Sequence, residues 1–161
     1  MAVHLVAAFA LGVAIGGVGV AKLQDRRDER AQSATVALVA MAGGSNGGDR
    51  GNGTADLDAQ LIVINAGHAP ITARVVGAQE SGVLVRDAGQ PQLLDPGGTG
   101  VIDLRVTVEC EIAEPDPLPM RFSVQTADQR THEISYTVAV EGSAWHQRVD
   151  ALCDPGPATT G

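Results

Sequence analysis

Two hydrophobic patterns divide the chain. Residues 1–21 (MAVHLVAAFALGVAIGGVGVA) contain no Asp, Glu, Lys or Arg, whereas from Ala55 onward apolar and polar residues alternate at period two. In a helix, about 20 apolar residues span a hydrocarbon layer of roughly 30 Å, and there only a helix satisfies its own backbone groups. Residues 1–21 therefore read as a transmembrane helix held by membrane lipid. The run is longer than the apolar core of a secretory signal, and no Lys or Arg precedes it. An uncleaved anchor is thus favoured over a cleaved signal, although Gly19-Val20-Ala21 and Ala31-Gln32-Ser33 have the small-x-small form of a cleavage site. Within the span Ala8, Gly12 and Gly16 recur every four residues, a small-residue stripe that would let two copies dimerise.

Residues 22–32 are mixed in charge and lack Gly and Pro, as a juxtamembrane stalk would. Residues 33–42 (SATVALVAMA) suit a helix by their Ala content but read rather as a first strand buried on both faces, and residues 43–54, with six glycines, as a linker or long flexible loop. Alternation then predicts strands at 57–65, 71–78, 83–86, 101–110, 120–126 and 131–140. In the strand at 101–110, Ile102, Leu104, Val106, Val108 and Cys110 share one face, and Asp103, Arg105, Thr107 and Glu109 the other. One face meets the core and the other water. Turns fall at Asn65-Ala66-Gly67, Asp95-Pro96-Gly97-Gly98 and Asp128-Gln129.

After a 55–142 sandwich, Ser143 is a good N-cap, and Trp145, Val149, Leu152 and Cys153 fall on one face of a short helix over 143–153. Asp154-Pro155-Gly156 stops it, and 154–161 read as a disordered tail. Cys110 on the inward face of a strand and Cys153 on the apolar face of the helix are placed to form a disulfide. In the chain-entropy model that closure contributes about 4 kcal/mol. Two free buried thiols are the alternative.

Composition narrows the function classes. The net charge is -8, and from Asp56 onward fifteen acidic residues face six arginines, so a phosphate backbone is repelled and nucleic acid is excluded as a partner. One Trp, one Tyr and two Phe leave the core to Val, Leu, Ile and Ala. Lys22, Arg26, Arg27 and Arg30 follow the span, and by the positive-inside rule they alone would put the domain in the cytoplasm. The cysteine pair and the strand-rich domain argue for the outside, which is the orientation favoured here.

Candidate chemistry is sparse. Glu109, Glu111, Glu114 and Asp116 form the densest acidic tract and offer oxygen ligands for Ca²⁺, but the spacing and turning Gly of a dedicated calcium loop are missing. A zinc site from Cys110, Cys153, His132 and His146 lacks any Cys-x-x-Cys. His4 lies in the apolar span and His68 in a turn. Ser123, Ser135, His132 and Asp128 could be drawn as a hydrolase set, but no Gly-x-Ser-x-Gly elbow positions them. Asn52-Gly53-Thr54 matches a glycosylation sequon by chance, and Gly97-Gly98-Thr99-Gly100 precedes a strand, so it builds no phosphate cradle. No catalytic residue, cofactor or metal is assigned.

Seven short strands with this turn spacing predict an all-β, two-sheet sandwich. The stretches LIVINAGHAPITARVV and LLDPGGTGVIDLRVTVEC resemble immunoglobulin-like domains, and more narrowly bacterial immunoglobulin-like ectodomains, over residues 55–142. The buried strand Trp and inter-sheet disulfide of antibody domains are absent. The near absence of Lys beside abundant Arg, Ala, Gly, Val and Asp resembles actinobacterial composition. Together these imply a single-pass, membrane-anchored, extracytoplasmic module of the cell envelope, non-catalytic and in contact with an unknown envelope protein. The alternatives are a ligand or Ca²⁺ sensor using residues 109–116, or a cytoplasm-facing adaptor if the orientation is reversed.

Overall fold

The computed structural model describes residues 35–111 and 117–154. The expected membrane helix at 1–21, its Ala8, Gly12 and Gly16 stripe, the stalk at 22–32 and the tail beyond Asp154 lie outside these residues. Among the described residues no helix is long and apolar enough to cross a membrane.

Eight antiparallel strands and one helix form a sandwich-like all-β fold. They are β1 (Leu38–Gly51), β2 (Thr54–Asn65), β3 (Ile71–Glu80), β4 (Val83–Asp87), β5 (Gln92–Leu94), β6 (Thr99–Glu109), β7 (Leu118–Thr126), β8 (Thr131–Val138) and α1 (Ala144–Cys153). The first sheet runs β1-β2-β6-β4 and the second β5-β3-β7-β8. Alternation fills the space between them as expected. Leu57, Leu61 and Val63 of β2, Ile102, Leu104, Val106 and Val108 of β6, and Met120, Phe122 and Val124 of β7 are all buried.

Strand β3 belongs to both sheets. Its first half pairs with β5 and β7, and its last residues, Ala78 to Glu80, pair with β4. The crossing occurs at a bulge between Val75 and Gly77. Gly77 has φ 138°, and a Cβ there would lie 2.9 Å from the Val85 carbonyl, so the bend admits no side chain.

Eight strands replace the expected seven because β5, three residues between Pro91 and the Asp95-Pro96 turn, is too short to show a period. It exists through Leu94, buried against the core, and through Gly100, where a Cβ would lie 2.6 Å from Leu94 Cδ2. Asn65, expected only as a turn residue, is fully buried. Its amide donates to the carbonyls of Ala69 (2.8 Å) and Leu94 (3.1 Å) and accepts from Gly67 N–H (2.9 Å), tying the β2–β3 turn to the end of β5.

The largest correction concerns residues 43–54. The glycine-rich tract is not a loop: β1 runs through it to Gly51 and pairs with β2 down to Gly51 opposite Thr54. Asn52 and Gly53, with φ 52° and 81°, are the two central residues of the hairpin turn, for which Asn-Gly is the strongest short-range signal. Register shifts between Ala42 and Ser45 and between Asn46 and Asp49 bend β1, and α1 lies against it there.

The helix starts as expected at Ser143, whose hydroxyl accepts from His146 N–H. Trp145 Nε1 donates to Gly44 O and Gln60 O, both at 3.1 Å, the carbonyls separated by the first bulge. Ser45 Oγ donates to Ala144 O, Arg148 Nε to Gly47 O, and Arg50 to the carbonyls of Leu152 and Cys153, which α1 itself leaves unpaired. Cys110 and Cys153 form the anticipated disulfide, with Cα atoms 5.4 Å apart, fixing the end of α1 to the end of β6.

Two outcomes follow from this packing. Trp145→Phe keeps the buried ring but leaves both carbonyls without their donor, and urea unfolding of the variant should show a loss of about 1–3 kcal/mol. Gly77→Ala should cost a similar amount, about 1–3 kcal/mol by the same measurement, because the bulge backbone is closed to a Cβ. Wild-type stability in either variant contradicts the role given to that residue.

Candidate functional site

The acidic tract extends from the end of β6. Glu109 and Glu111 are exposed, and Glu114 and Asp116 fall outside the described residues. Among the described residues no three His, Cys, Asp or Glu side chains gather as a metal site. Glu109 and Glu80 line an open cleft of about 540 Å³ at the β3–β4 hairpin, together with Ser81 and Thr107. The sulfurs of Cys110 and Cys153 are bonded to each other, which removes them as zinc ligands or nucleophiles.

The structure places the drawn hydrolase set on two different faces. Ser123 and Ser135 lie on the outer side of the second sheet, whereas His132 pairs with Val124 and shares the inner side of β8 with Ile134 and Tyr136. Period-two alternation therefore separates the serines from the imidazole. His132 Nε2 is buried and has no hydrogen-bond partner among the described residues. His146 accepts from Gly142 N–H through Nδ1 (3.1 Å) and holds Nε2 3.4 Å from Asp150. His68 is exposed in the β2–β3 turn.

Asp128 works inside the β7–β8 turn. Its Oδ1 accepts from Thr126 Oγ1 at 2.6 Å, and its Oδ2 is 3.4 Å from Arg130 Nε. The Thr126 hydroxyl is the main reason that the carboxyl titrates below the usual aspartate range. Desolvation opposes this, and the Arg130 backbone N–H and guanidinium add to it.

The two outer faces differ in charge. On the first sheet Asp49 stands opposite Asp56, Asp58 opposite Arg105, and Gln60 opposite Asp103. Arg105 is committed there to Asp58 at 2.7 Å. On the second sheet Arg74 stands opposite Ser123, which stands opposite Glu133, and Arg121 stands opposite Ser135. Thr72, Arg74, Ser123, Gln125, Thr131 and Pro91 line a shallow groove of about 340 Å³ on that face. Sequence reasoning missed this face. The alternation that exposes Arg74, Arg121 and Ser123 was visible, but which arginines lack a partner depends on strand neighbours.

For Asp128 the sign is definite. A carboxyl more acidic in the folded than in the unfolded chain stabilises the fold above its unfolded pKa, and that contribution is lost as pH falls through the folded value. Thr126→Val should move the Asp128 titration, followed by carboxyl NMR, upward towards the ordinary aspartate value. An unmoved midpoint would assign the shift to Arg130 instead.

No family model matches the chain, and no curated protein is similar to it. Among solved structures it is similar to the GAE domain of yeast GGA1, at 14% identity and a TM-score of 0.42, over 66% of this chain and 92% of that one. It is also similar to a FixG-related protein from Vibrio parahaemolyticus, at 13% identity and a TM-score of 0.29, over 66% and 96% of the two chains. For the N-terminal domain of PorA the identity is 12% and the TM-score 0.32, over 66% and 99%.

Proposed function

We propose that this chain is a single-pass, membrane-anchored protein whose β-sandwich is an extracytoplasmic, non-catalytic contact module of immunoglobulin-like topology. If β1, β2, β3, β4, β6, β7 and β8 are taken as strands A to G, the first sheet has the order A-B-E-D and the second C-F-G, with β5 added beside C. That order matches the constant-type immunoglobulin arrangement apart from the β3–β4 pairing that joins the sheets, and it supports this reading.

The observation that carries the compartment is the Cys110–Cys153 disulfide. Such bonds persist in oxidising compartments and are rare where thioredoxin and glutathione keep thiols reduced. The apolar residues 1–21 supply the anchor in this reading, and the sandwich presents its two outer faces to a partner in the envelope.

A membrane-impermeant thiol reagent applied to intact cells tests the proposal. Cys110 and Cys153 should be labelled only after external reduction and unfolding. Labelling that requires cell lysis but no reductant would place free thiols in the cytoplasm and make the domain an intracellular adaptor.

A further inference from the structure

We infer that the outer face of the second sheet is a docking surface for an acidic protein, read by the guanidinium groups of Arg74 and Arg121. The inference deepens the contact-module reading and rests on it for the cellular setting only. Its physical basis is an inventory of arginines.

The described residues include seven. Arg50 and Arg148 are spent on carbonyls of the α1–β1 contact, Arg105 on Asp58 and Arg130 on Asp128. The guanidinium groups of Arg74, Arg86 and Arg121 form no hydrogen bond or ion pair among the described residues. Two of these three are neighbours. Arg74 faces Ser123 and Arg121 lies two residues along β7 on the same face, a diagonal spacing of about 7–8 Å that long side chains bridge. The chain's net charge of -8 repels a polyanion at a distance, so these two cations act on carboxylates in close contact. Glu133, opposite Ser123, is a diagonal neighbour of Arg121 on the same face, yet it forms an ion pair with neither arginine.

The surroundings indicate the partner's chemistry. Thr72, Ser123, Gln125 and Ser135 supply neutral donors and acceptors around the arginines. Val76, 37% exposed, and Leu93, 73% exposed, give apolar contact on either side. Two guanidinium forks bind carboxylates bidentately, and arginine framed by apolar side chains is enriched at protein interfaces. Among the described residues a sugar or base ring would find no aromatic platform on this face. Phe122 is buried, Tyr136 belongs to the inner alternation of β8, and Trp145 lies under α1. These features favour an acidic polypeptide over an anionic glycan.

The test measures binding of a short fluorescent peptide, with two adjacent glutamates in an otherwise neutral sequence, to the full chain in nanodiscs of zwitterionic lipid by anisotropy. Saturable, salt-sensitive binding is expected. Arg74→Glu with Arg121→Glu should weaken it about tenfold or more, the neutral Arg74→Gln with Arg121→Gln pair by an intermediate factor, and Arg86→Glu on the other sheet by less than about twofold. Thermal melts matching wild type show that the variants fold, and the neutral pair supplies the reading if the reversal does not. Absent wild-type binding, or an equal loss in Arg86→Glu, overturns the inference. Digalacturonate binding the same arginines more tightly than the peptide overturns the partner class. Peptide binding is blind to compartment, so thiol labelling from the cytoplasmic side would defeat the envelope reading while leaving this one standing.

Discussion

The fold depends on how closely α1 approaches the backbone of β1. A side chain at Gly43 would meet the Gln60 carbonyl at 2.8 Å, and one at Gly48 would meet the Asp56 carbonyl at 2.8 Å and Leu152 Cδ1 at 3.1 Å. With only hydrogen at these positions, β1 can pair with β2 and also lie under the helix. Trp145 is among the largest fully buried side chains, and a buried indole N–H must find an acceptor. The first bulge in β1 supplies two. The irregularity of the strand and the anchoring of the helix are thus one arrangement, and neither is satisfied without the other.

That dependence explains what could be read from the sequence. The strands at 57–65, 101–110 and 120–126 were legible because each buries one face against a continuous core, which writes a period of two into the residues. The helix was legible because Ser143 and the Trp145, Val149, Leu152 spacing are local signals. The tract at 43–51 was not. Its partner on one side is a helix about a hundred residues away, and what suits that contact is the absence of side chains, which also characterises a linker. Asn52-Gly53 did carry the hairpin signal, but β1 showed no alternation to flank it. Asn65 was recognised as a turn residue but not as a buried one, since its partner Leu94 comes from a separate segment.

Candidate chemistry was harder to read for a related reason. A set such as Ser123, His132 and Asp128 looks close in sequence, yet strand parity sends Ser123 outward and His132 inward, and Asp128 is held by Thr126. The disulfide could be anticipated because both cysteines sit at element ends whose apolar faces were identifiable. Unpaired arginines could not, because the pairing of Arg105 with Asp58 spans 47 positions and is defined only by the β2–β6 register.

Register also sets the electrostatic character of the two outer faces. The pairing of β1, β2, β6 and β4 brings Asp49 opposite Asp56 and places Asp58 and Asp103 on the same side, with Arg105 and, opposite it, Arg86 as local counter-charges. Like charges directly opposite each other are unfavourable, and the Thr107 hydroxyl, donating to Asp56, relieves part of that. A one-residue slip of β6 would turn its carboxylates into the core, so the acidic face is enforced by the same burial that fixes the fold. On the second sheet, β3, β7 and β8 contribute hydroxyls and arginines at the equivalent positions. Because β3 crosses between the sheets at Gly77, the two faces are built on one continuous backbone. The register that sets their charge difference is therefore fixed by the same core packing.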